Sequence, residues 1–242
     1  TDKKSNVTTH FQHKLGDAAK AFESADIVIE REFNTATVHQ GYIEPQNGTA
    51  LWNTDGHVTV WCSTQGSFPV REQVAQLLML PVSRVKVVPT EIGGGFGGKI
   101  RVYLEPLAAV LSKKTGHPVK MVMSYAEEFI AGNPRHPATV TLRTGVTKDG
   151  VMTATHALVH LNSGAYLAHS GGRGLPLVSD AAGVYRTPNV RIDCLAVYTN
   201  TIPNGHYRGV GQPQMVFAYE SHMDMIARDL GLDPLEFRLK NV

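Results

Sequence analysis

The 242-residue sequence predicts an α+β fold with two mixed halves, each a two-layer sandwich of sheet and helices. Strand-like and helix-like segments alternate irregularly, which differs from the regular strand–helix repeat of a doubly wound sheet. Two pairs of strand-like segments flank Asp-Gly turns, at Asp55-Gly56 and Asp149-Gly150, as in β-hairpins. Hydrophobic residues make up 42% of the chain, which suffices for a core in each half.

Three regions follow from the distribution of these segments. Residues 1–20 are polar and lack strong periodicity, so we expect a polar tail. Residues 21–132 form the first predicted half and residues 133–242 the second. The boundary lies in a loop that contains Gly132, Pro134 and Pro137.

The first half contains strands and helices in alternation. Ile27 to Ile29 lead into an extended segment, and Gly116 is placed to end the second helix. The predicted elements are hairpin arms at 49–53 and 58–62, a helix at 71–79, a strand at 85–88, a helix at 103–114 and a strand at 119–123.

The second half begins with a hairpin and ends with helices. We expect hairpin arms at 139–146 and 151–161, a strand at 190–199 and a helix at 214–230 that stops at Gly231. Asp233-Pro234 then starts a further helix, with the aspartate as the cap and proline at the first position.

Composition excludes several classes of protein. A net charge of +2 argues against a nucleic-acid-binding surface. The longest uncharged stretch, residues 151–172, is interrupted by polar side chains, so we expect no membrane span. Cys62 and Cys194 are too few for a four-thiolate site, and the lack of a disulfide framework favours the cytoplasm. The chain starts at Thr1 and is expected to be a piece of a longer protein.

A glycine cluster is the most informative motif. Five of the six residues from Gly93 to Gly98 are glycine, and such a segment can present backbone N–H groups to an anion. It fits the dinucleotide pattern G-x-G-x-x-G. That pattern needs an acidic residue about 20 positions further on to bind the ribose, but the acids here come too late, at Glu127 and Glu128. It also fits the start of a P-loop, but Ile100 replaces the required hydroxyl residue. A nucleotide-binding loop and a packed glycine-rich turn both remain open.

Four segments occur in a fixed order along the chain: Thr64-Gln65, EIGGGFGGK from Glu91, HYRGVGQPQ from His206, and LGLDPLEFRLKN up to Asn241. With Arg135-His136-Pro137 and Gly164-Ala165-Tyr166, they resemble the molybdenum hydroxylase (xanthine dehydrogenase/aldehyde oxidase) family. The resemblance runs from about Ala25 to the C-terminus and corresponds to the first part of the molybdopterin-binding region of the large subunit. One glycine motif alone would be weak evidence, whereas four motifs in order are specific.

The resemblance implies roles for individual residues. Gln65 matches the glutamine whose amide approaches the apical oxo ligand of molybdenum, and an amide can donate to such a group without ligating the metal. Gly95, Phe96 and Gly97 match the loop whose backbone lies near the metal, and Arg208 matches the arginine near the metal and the cofactor. The metal itself would be held by pterin sulfurs, so Gln65, Phe96 and Arg208 surround it without direct side-chain ligation.

The resemblance also implies a larger enzyme that hydroxylates an aldehyde or an N-heterocyclic or aromatic substrate with water-derived oxygen. Its partners would be the remaining domains of the large subunit, together with the domains or subunits that carry iron–sulfur clusters and FAD. Three pocket positions, Ile100, Pro176 and Val210, depart from the xanthine-oxidising pattern and disfavour a purine. The family's general-base glutamate would lie beyond the end of this chain, so the chain by itself is expected to contain no catalytic residue and to be inactive.

Other candidates have simpler interpretations. His156 and His160 lie four residues apart, but no third ligand is near in sequence, so a zinc site is disfavoured. Glu127 and Glu128 are adjacent on a segment predicted to be extended, where their side chains would point to opposite faces and be solvated. A non-catalytic assembly domain that retains the fold without the cofactor is a further alternative.

Overall fold

The computed structural model describes residues 5–166, 181 and 183–242, which divide into two compact units. The first unit comprises residues 1–38, 136–204 and 209–242, and the second comprises residues 39–135 and 205–208. In chain order, the elements are β1 (Val7–Leu15), α1 (Ala18–Glu23), β2 (Ile27–Thr35), β3 (Asn47–Trp52), β4 (Val58–Cys62), α2 (Ser67–Leu77), β5 (Val85–Pro89), α3 (Glu105–Thr115), β6 (Val119–Val122), α4 (Tyr125–Ala131), β7 (Ala138–Val146), β8 (Met152–Gly164), β9 (Val190–Tyr198), α5 (Gln212–Asp229) and α6 (Pro234–Lys240). The predicted α+β class is confirmed.

In the part of the first unit that the structure describes, a five-stranded sheet has the order β1-β9-β8-β7-β2. The predicted hairpin forms from β7 and β8, which pair antiparallel, while β8 and β9 run parallel. Helix α5 lies on this sheet, and its buried face, which includes Met215, Tyr219 and Met223, shares one core with Leu142 and Ile192. This core excludes water because apolar residues recur at helical spacing on α5 and at alternate positions on the strands.

The N-terminal segment corrects one prediction, because residues 7–15 form strand β1 instead of a polar tail. Phe11 lies opposite Cys194 in the antiparallel β1–β9 pair and packs against the core. The segment is polar because β1 is an edge strand with one exposed face. Its partner lies some 180 residues away in sequence, so local patterns could not reveal the pairing.

The end of the first unit agrees with the predicted helix signals. Gly231 follows α5 with a φ of +69°, a left-handed conformation that glycine adopts readily. The Asp233 side chain then accepts hydrogen bonds from the N–H groups of Leu235 and Glu236, which caps α6. Helix α5 therefore ends, and α6 begins, where the sequence signals indicate.

In the described residues of the second unit, a four-stranded sheet has the order β5-β4-β3-β6. Strands β3 and β4 form the predicted hairpin, and β4 and β5 run parallel. Helices α2 and α3 pack on the sheet around a core that includes Val60, Val70, Val74 and Ala108. The parallel β4–β5 pair brings the ends of two strands to the same edge of this sheet.

Helix α4 differs from the sequence prediction, which contains no helix at residues 124–131. The Ser124 hydroxyl accepts from the Glu127 N–H while the Glu127 carboxylate accepts from the Ser124 N–H, which is a reciprocal capping box. Glu127 and Glu128 thus lie on a helix instead of an extended segment, and Glu128 is fully buried. No helix among the described residues is long and apolar enough to cross a bilayer.

Candidate functional site

The candidate site lies at the edge of the second unit's sheet, where β4 and β5 end. Cys62 and Pro89 are paired at the carboxyl ends of these parallel strands, and the Thr90 N–H donates to the Cys62 carbonyl over 3.0 Å. The segments that follow the strands, Thr64-Gln65 and the glycine loop Gly93–Gly98, therefore meet at this edge. Parallel pairing brings two distant motifs of the sequence together.

Gln65 is fixed in one orientation by the loop. Its Oε1 atom accepts hydrogen bonds from the backbone N–H groups of Gly97 at 2.8 Å and Lys99 at 3.2 Å. Its own backbone N–H donates to the Lys99 carbonyl at 2.8 Å. Because a backbone N–H can only donate, the atom that faces both groups must be the amide oxygen. The Gln65 NH₂ group has no partner among the described residues and is available to donate to a ligand.

The glycines allow the close approach of neighbouring segments. A Cβ atom at Gly95 would lie 2.5 Å from Gln65 Oε1, and one at Gly97 would lie 2.8 Å from the His206 carbonyl oxygen. Gly97 also has a φ of +102°, which a β-branched residue cannot adopt without strain. The loop is therefore enclosed on one side by Gln65 and on another by residues 205–208.

Residues 205–208 join this unit from a distant part of the sequence. The Gly205 N–H donates to the Pro134 carbonyl at 2.9 Å, and the Arg208 N–H donates to the Phe96 carbonyl at 2.9 Å. The Arg135 guanidinium lies over the Tyr207 ring and donates to the Arg208 carbonyl at 2.7 Å. The exposed Arg208 guanidinium has no hydrogen-bond or ion-pair partner among the described residues, so it is available to a ligand.

The middle of the glycine loop contains backbone N–H groups that are not hydrogen-bonded. Within the described part of the chain, the N–H groups of Gly94, Gly95 and Phe96 make no hydrogen bond. Gly94 and Phe96 have positive φ values of +94° and +49°, whereas Gly95 between them does not. Successive residues that alternate in this way can form a concave arrangement of N–H groups that binds an anion. With the Gln65 NH₂ and the Arg208 guanidinium, the site has donors and a cation that suit an anionic, acceptor-rich group. A molybdopterin cofactor, with its phosphate and metal-bound acceptors, fits this donor set.

The loop does not have the features of a nucleotide site. The Lys99 side chain is buried, and its ammonium group lies 2.8 Å from Glu44 Oε2 and 3.2 Å from Ser63 Oγ. A P-loop lysine would instead reach the phosphates. The next helix, α3, begins only at Glu105, so the positive end of a helix does not follow the loop directly.

Five of the sequence-predicted residues therefore come together in the second unit: Gln65, Gly95, Phe96, Gly97 and Arg208. The three predicted pocket positions fall in different parts of the chain. Ile100 is half-buried in the second unit, Val210 is half-buried and belongs to the first, and Pro176 lies outside the described residues.

A buried polar network under the loop has no counterpart among the sequence predictions. Glu128 accepts hydrogen bonds from the Tyr42 hydroxyl and, at 2.7 Å, from the Gln46 N–H. Gln46 Nε2 donates to the Gly98 carbonyl at 3.0 Å, so the network supports one end of the loop. Burial raises the pKa of Tyr42, as does the hydrogen bond to Glu128, so the phenol keeps its proton. The Ser124-x-x-Glu127 pattern is the signal that could have placed Glu128 on a helix.

Of the two histidines that lie four residues apart, His160 is exposed, and His156 has a structural role in the first unit. His156 Nε2 and His10 Nε2 each lie 3.1 Å from the Asp193 carboxylate, which also accepts from Arg191. Burial opposes ionisation of Asp193, but these hydrogen bonds hold its pKa well below the usual range. Across the described residues, no group of three or more His, Cys, Asp or Glu side chains has metal-binding geometry.

Known proteins resemble this chain over nearly its whole length. The chain matches the family described as "Molybdopterin cofactor-binding domain" over residues 1–242. It is 37% identical over 228 residues to the nicotinate dehydrogenase large molybdopterin subunit of Eubacterium barkeri, an alignment that covers 94% of this chain and 54% of the relative. It is 36% identical over 237 residues to the xanthine dehydrogenase molybdenum-binding subunit of Escherichia coli, with 98% of this chain and 32% of the relative covered.

A solved structure extends the comparison to the fold. The aldehyde oxidoreductase of Desulfovibrio gigas superposes with a TM-score of 0.91 at 30% identity, covering 98% of this chain and 26% of that one. The chain thus spans about half the length of the nicotinate dehydrogenase relative and about a quarter of the aldehyde oxidoreductase.

Proposed function

The chain belongs to the molybdopterin cofactor-binding domain family of the xanthine dehydrogenases and aldehyde oxidases, and from this premise we propose that it forms one wall of a molybdenum hydroxylase active site. The observation that carries the proposal is the Gln65 amide. Two backbone donors hold its oxygen, so its NH₂ group is left to donate to a bound ligand. No feature of the site supports the nucleotide-binding alternative.

Three elements of the chain would hold the cofactor. The N–H groups of Gly94, Gly95 and Phe96 would donate to it, the Gln65 NH₂ would donate to an oxygen acceptor near the metal, and Arg208 would supply a cation. When bound, the molybdenum cofactor would supply the two-electron oxidation of a substrate carbon, with oxygen derived from water. The residues of this chain would bind and orient the cofactor, because donors held rigidly before reaction need no reorganisation.

The general base would come from another part of the enzyme. Glu44 contacts the glycine loop and Glu128 contacts Gln46 beneath it, and both carboxylates already accept hydrogen bonds from groups inside the second unit. Neither has an oxygen held free for a reacting proton. We therefore propose that the remaining domains of the large subunit complete the site, and that iron–sulfur and flavin domains or subunits remove the electrons.

The substrate is proposed to be an aldehyde or an N-heterocycle. The relatives include an aldehyde oxidoreductase and a nicotinate dehydrogenase, and nicotinate is an N-heterocycle. Ile100 and Val210 are apolar, so neither side chain supplies the hydrogen-bonding partner that the polar edges of a purine would require. An aldehyde or a simple N-heterocycle has fewer polar edges than a purine and needs fewer such partners.

Isotope incorporation would test the proposed function. The complete enzyme would be produced in a molybdenum-replete host, analysed for molybdenum and pterin, and assayed with an aldehyde and a pyridine carboxylate in H₂¹⁸O with an artificial electron acceptor. The proposal predicts stoichiometric molybdenum and ¹⁸O in the product. Protein that carries no molybdenum would support the assembly-domain alternative, and product without ¹⁸O would contradict hydroxylation by water.

A further inference from the structure

The Lys99 side chain has a distinctive position that the proposed cofactor contacts do not explain. It leaves the end of the glycine loop and is buried, with 1% of the residue exposed. Its ammonium group lies 2.8 Å from Glu44 Oε2, 3.2 Å from Ser63 Oγ and 4.8 Å from the centre of the Tyr42 ring. A fully desolvated ammonium group is costly, so this set of partners must offset that cost.

Glu44 joins the two ends of the loop. The same Oε2 atom that accepts from Lys99 also accepts from the Gly93 N–H at 2.7 Å, and the Glu44 N–H donates back to the Gly93 carbonyl at 3.2 Å. The Asn47 side chain donates to the other carboxylate oxygen at 3.0 Å. Burial would raise the pKa of Glu44, but the hydrogen bonds from Lys99, Gly93 and Asn47 outweigh it and lower the pKa to about 2. Glu44 is therefore charged and bridges residues 93 and 99.

The backbone of Lys99 determines how Gln65 is held. The Lys99 N–H donates to Gln65 Oε1, and the Lys99 carbonyl accepts from the Gln65 N–H and from the Thr64 hydroxyl. The position of this one residue thus sets both the backbone and the amide of Gln65. If the Lys99 backbone moved, the amide would lose one of the two donors that fix its orientation.

We propose that Lys99 and Glu44 are positioning residues, which clamp the two ends of the glycine loop and thereby aim the Gln65 NH₂ group at the cofactor. This inference rests on the proposed function for its catalytic consequence, but the clamp itself is a property of the second unit. Lys99 is not one of the residues proposed to contact the cofactor. It acts through the Gln65 amide.

Hydrogen exchange would test the clamp without reference to activity. Amide exchange at residues 97 and 99 would be measured by mass spectrometry in the intact protein prepared without molybdenum. Lys99→Met should raise exchange at these two amides by about tenfold or more, because the loop end loses its anchor. The matched control is Lys120→Met on β6, where the lysine is exposed and its side chain has no partner among the described residues. Unchanged exchange in folded Lys99→Met would overturn the clamp.

A milder variant covers the case in which Lys99→Met does not fold. Glu44→Asp keeps both charges but shortens the side chain by one methylene, so its carboxylate cannot reach the Gly93 N–H and the ammonium group in the same way. It should raise exchange at residues 97 and 99 in the same direction by about threefold or more. Wild-type exchange in this variant would also overturn the proposal.

Kinetics would test whether the clamp acts through Gln65. In the molybdenum-loaded enzyme, Lys99→Met should lower kcat per bound molybdenum by about tenfold or more, with KM changed by less than about threefold. In a Gln65→Ala background, the same change should lower kcat by less than about twofold, because the amide that Lys99 positions is already absent. If Lys99→Met lowered kcat by the same factor in the wild-type and Gln65→Ala backgrounds, Lys99 would not act through Gln65. If wild-type protein lacked molybdenum, the proposed function would fail while the exchange experiment still decided the clamp.

Discussion

The Oε1 atom of Gln65 accepts the Gly97 N–H over 2.8 Å, and this contact determines which end of the amide faces a ligand. It joins the segment after β4 to the loop after β5, across 32 positions of the sequence. A Cβ atom at the nearby Gly95 would lie 2.5 Å from the same oxygen. The amide orientation and the glycine content of the loop therefore depend on each other.

Replacing Gln65 tests the donor directly. Gln65→Glu keeps an oxygen for the Gly97 and Lys99 N–H groups but removes the NH₂ donor, and Gln65→Ala removes both functions. Both variants should retain molybdenum and lose about 10²–10³-fold in kcat, the usual cost of one lost donor at a reacting centre. The measurement is kcat per bound molybdenum. Wild-type turnover in a loaded Gln65→Glu enzyme would contradict the donor role.

Arg208 should contribute mainly to cofactor retention. Its exposed guanidinium has no partner among the residues that the structure describes, and a charge-assisted hydrogen bond is worth about 1.5–3 kcal/mol. Arg208→Ala should therefore release molybdenum and pterin about 10–100-fold faster during dialysis. Arg228→Ala, at the exposed last turn of α5, is the matched control. Equal release from the two variants would exclude a role for Arg208 in binding.

Adjacent glutamates on α4 should respond differently to the same substitution. Buried Glu128 uses two oxygens to accept from Tyr42 and Gln46, so Glu128→Gln leaves one buried donor poorly paired and should lower the free energy of unfolding by about 1–3 kcal/mol. Exposed Glu127→Gln should cost less than about 0.5 kcal/mol, because glutamine can also complete a capping box. Urea denaturation measures both. A loss at Glu127 equal to that at Glu128 would refute the structural role of the buried carboxylate.

His222 should make the first unit sensitive to mild acid. It is fully buried on α5 and lies 3.1 Å from the Thr144 hydroxyl. Burial and the nearby Arg31 cation lower its pKa to about 4, against the opposing charge of Asp229. Because the unfolded chain takes up this proton first, stability should fall as the pH decreases from about 6.5 to about 4, by on the order of 3 kcal/mol in total.

The matched variant is His222→Gln, which keeps a donor for Thr144 but does not titrate. Unfolding free energies would be measured between pH 7.5 and 4 by about half-unit steps. As the pH decreases over this window, the free energy of unfolding should fall more for the wild type than for the variant. A constant difference would show that His222 does not titrate with unfolding.

Local signals in the sequence predict much of the fold. The Asp-Gly turns and alternating strands locate both hairpins, and Asp233 with Pro234 locates α6. Strand β1 escapes prediction because its residues are polar and its partner β9 is distant in sequence. Helix α4 escapes prediction because it is short, and its main signal is the capping box formed by Ser124 and Glu127.

The site depends more on resemblance than on local patterns. The glycine cluster itself indicates an anion-binding loop, but Gln65 and Arg208 stand out only because they match a family's motifs. Their proximity to the loop arises from the parallel β4–β5 pair and from residues 205–208 joining the second unit. The Glu44–Lys99 ion pair links residues 55 positions apart, and nothing in the local sequence around either residue indicates the other.

The most direct test of the central claim is the molybdenum content of protein with an altered loop. Gly97→Val would be compared with Gly116→Ala, since both glycines have positive φ but a Cβ at Gly116 meets nothing within 4 Å. Both proteins would be purified from a molybdenum-replete host as the complete enzyme and analysed for metal per folded protein. We expect stoichiometric molybdenum in wild type and Gly116→Ala and almost none in folded Gly97→Val. Wild-type molybdenum content in Gly97→Val would contradict the claim that this loop holds the cofactor.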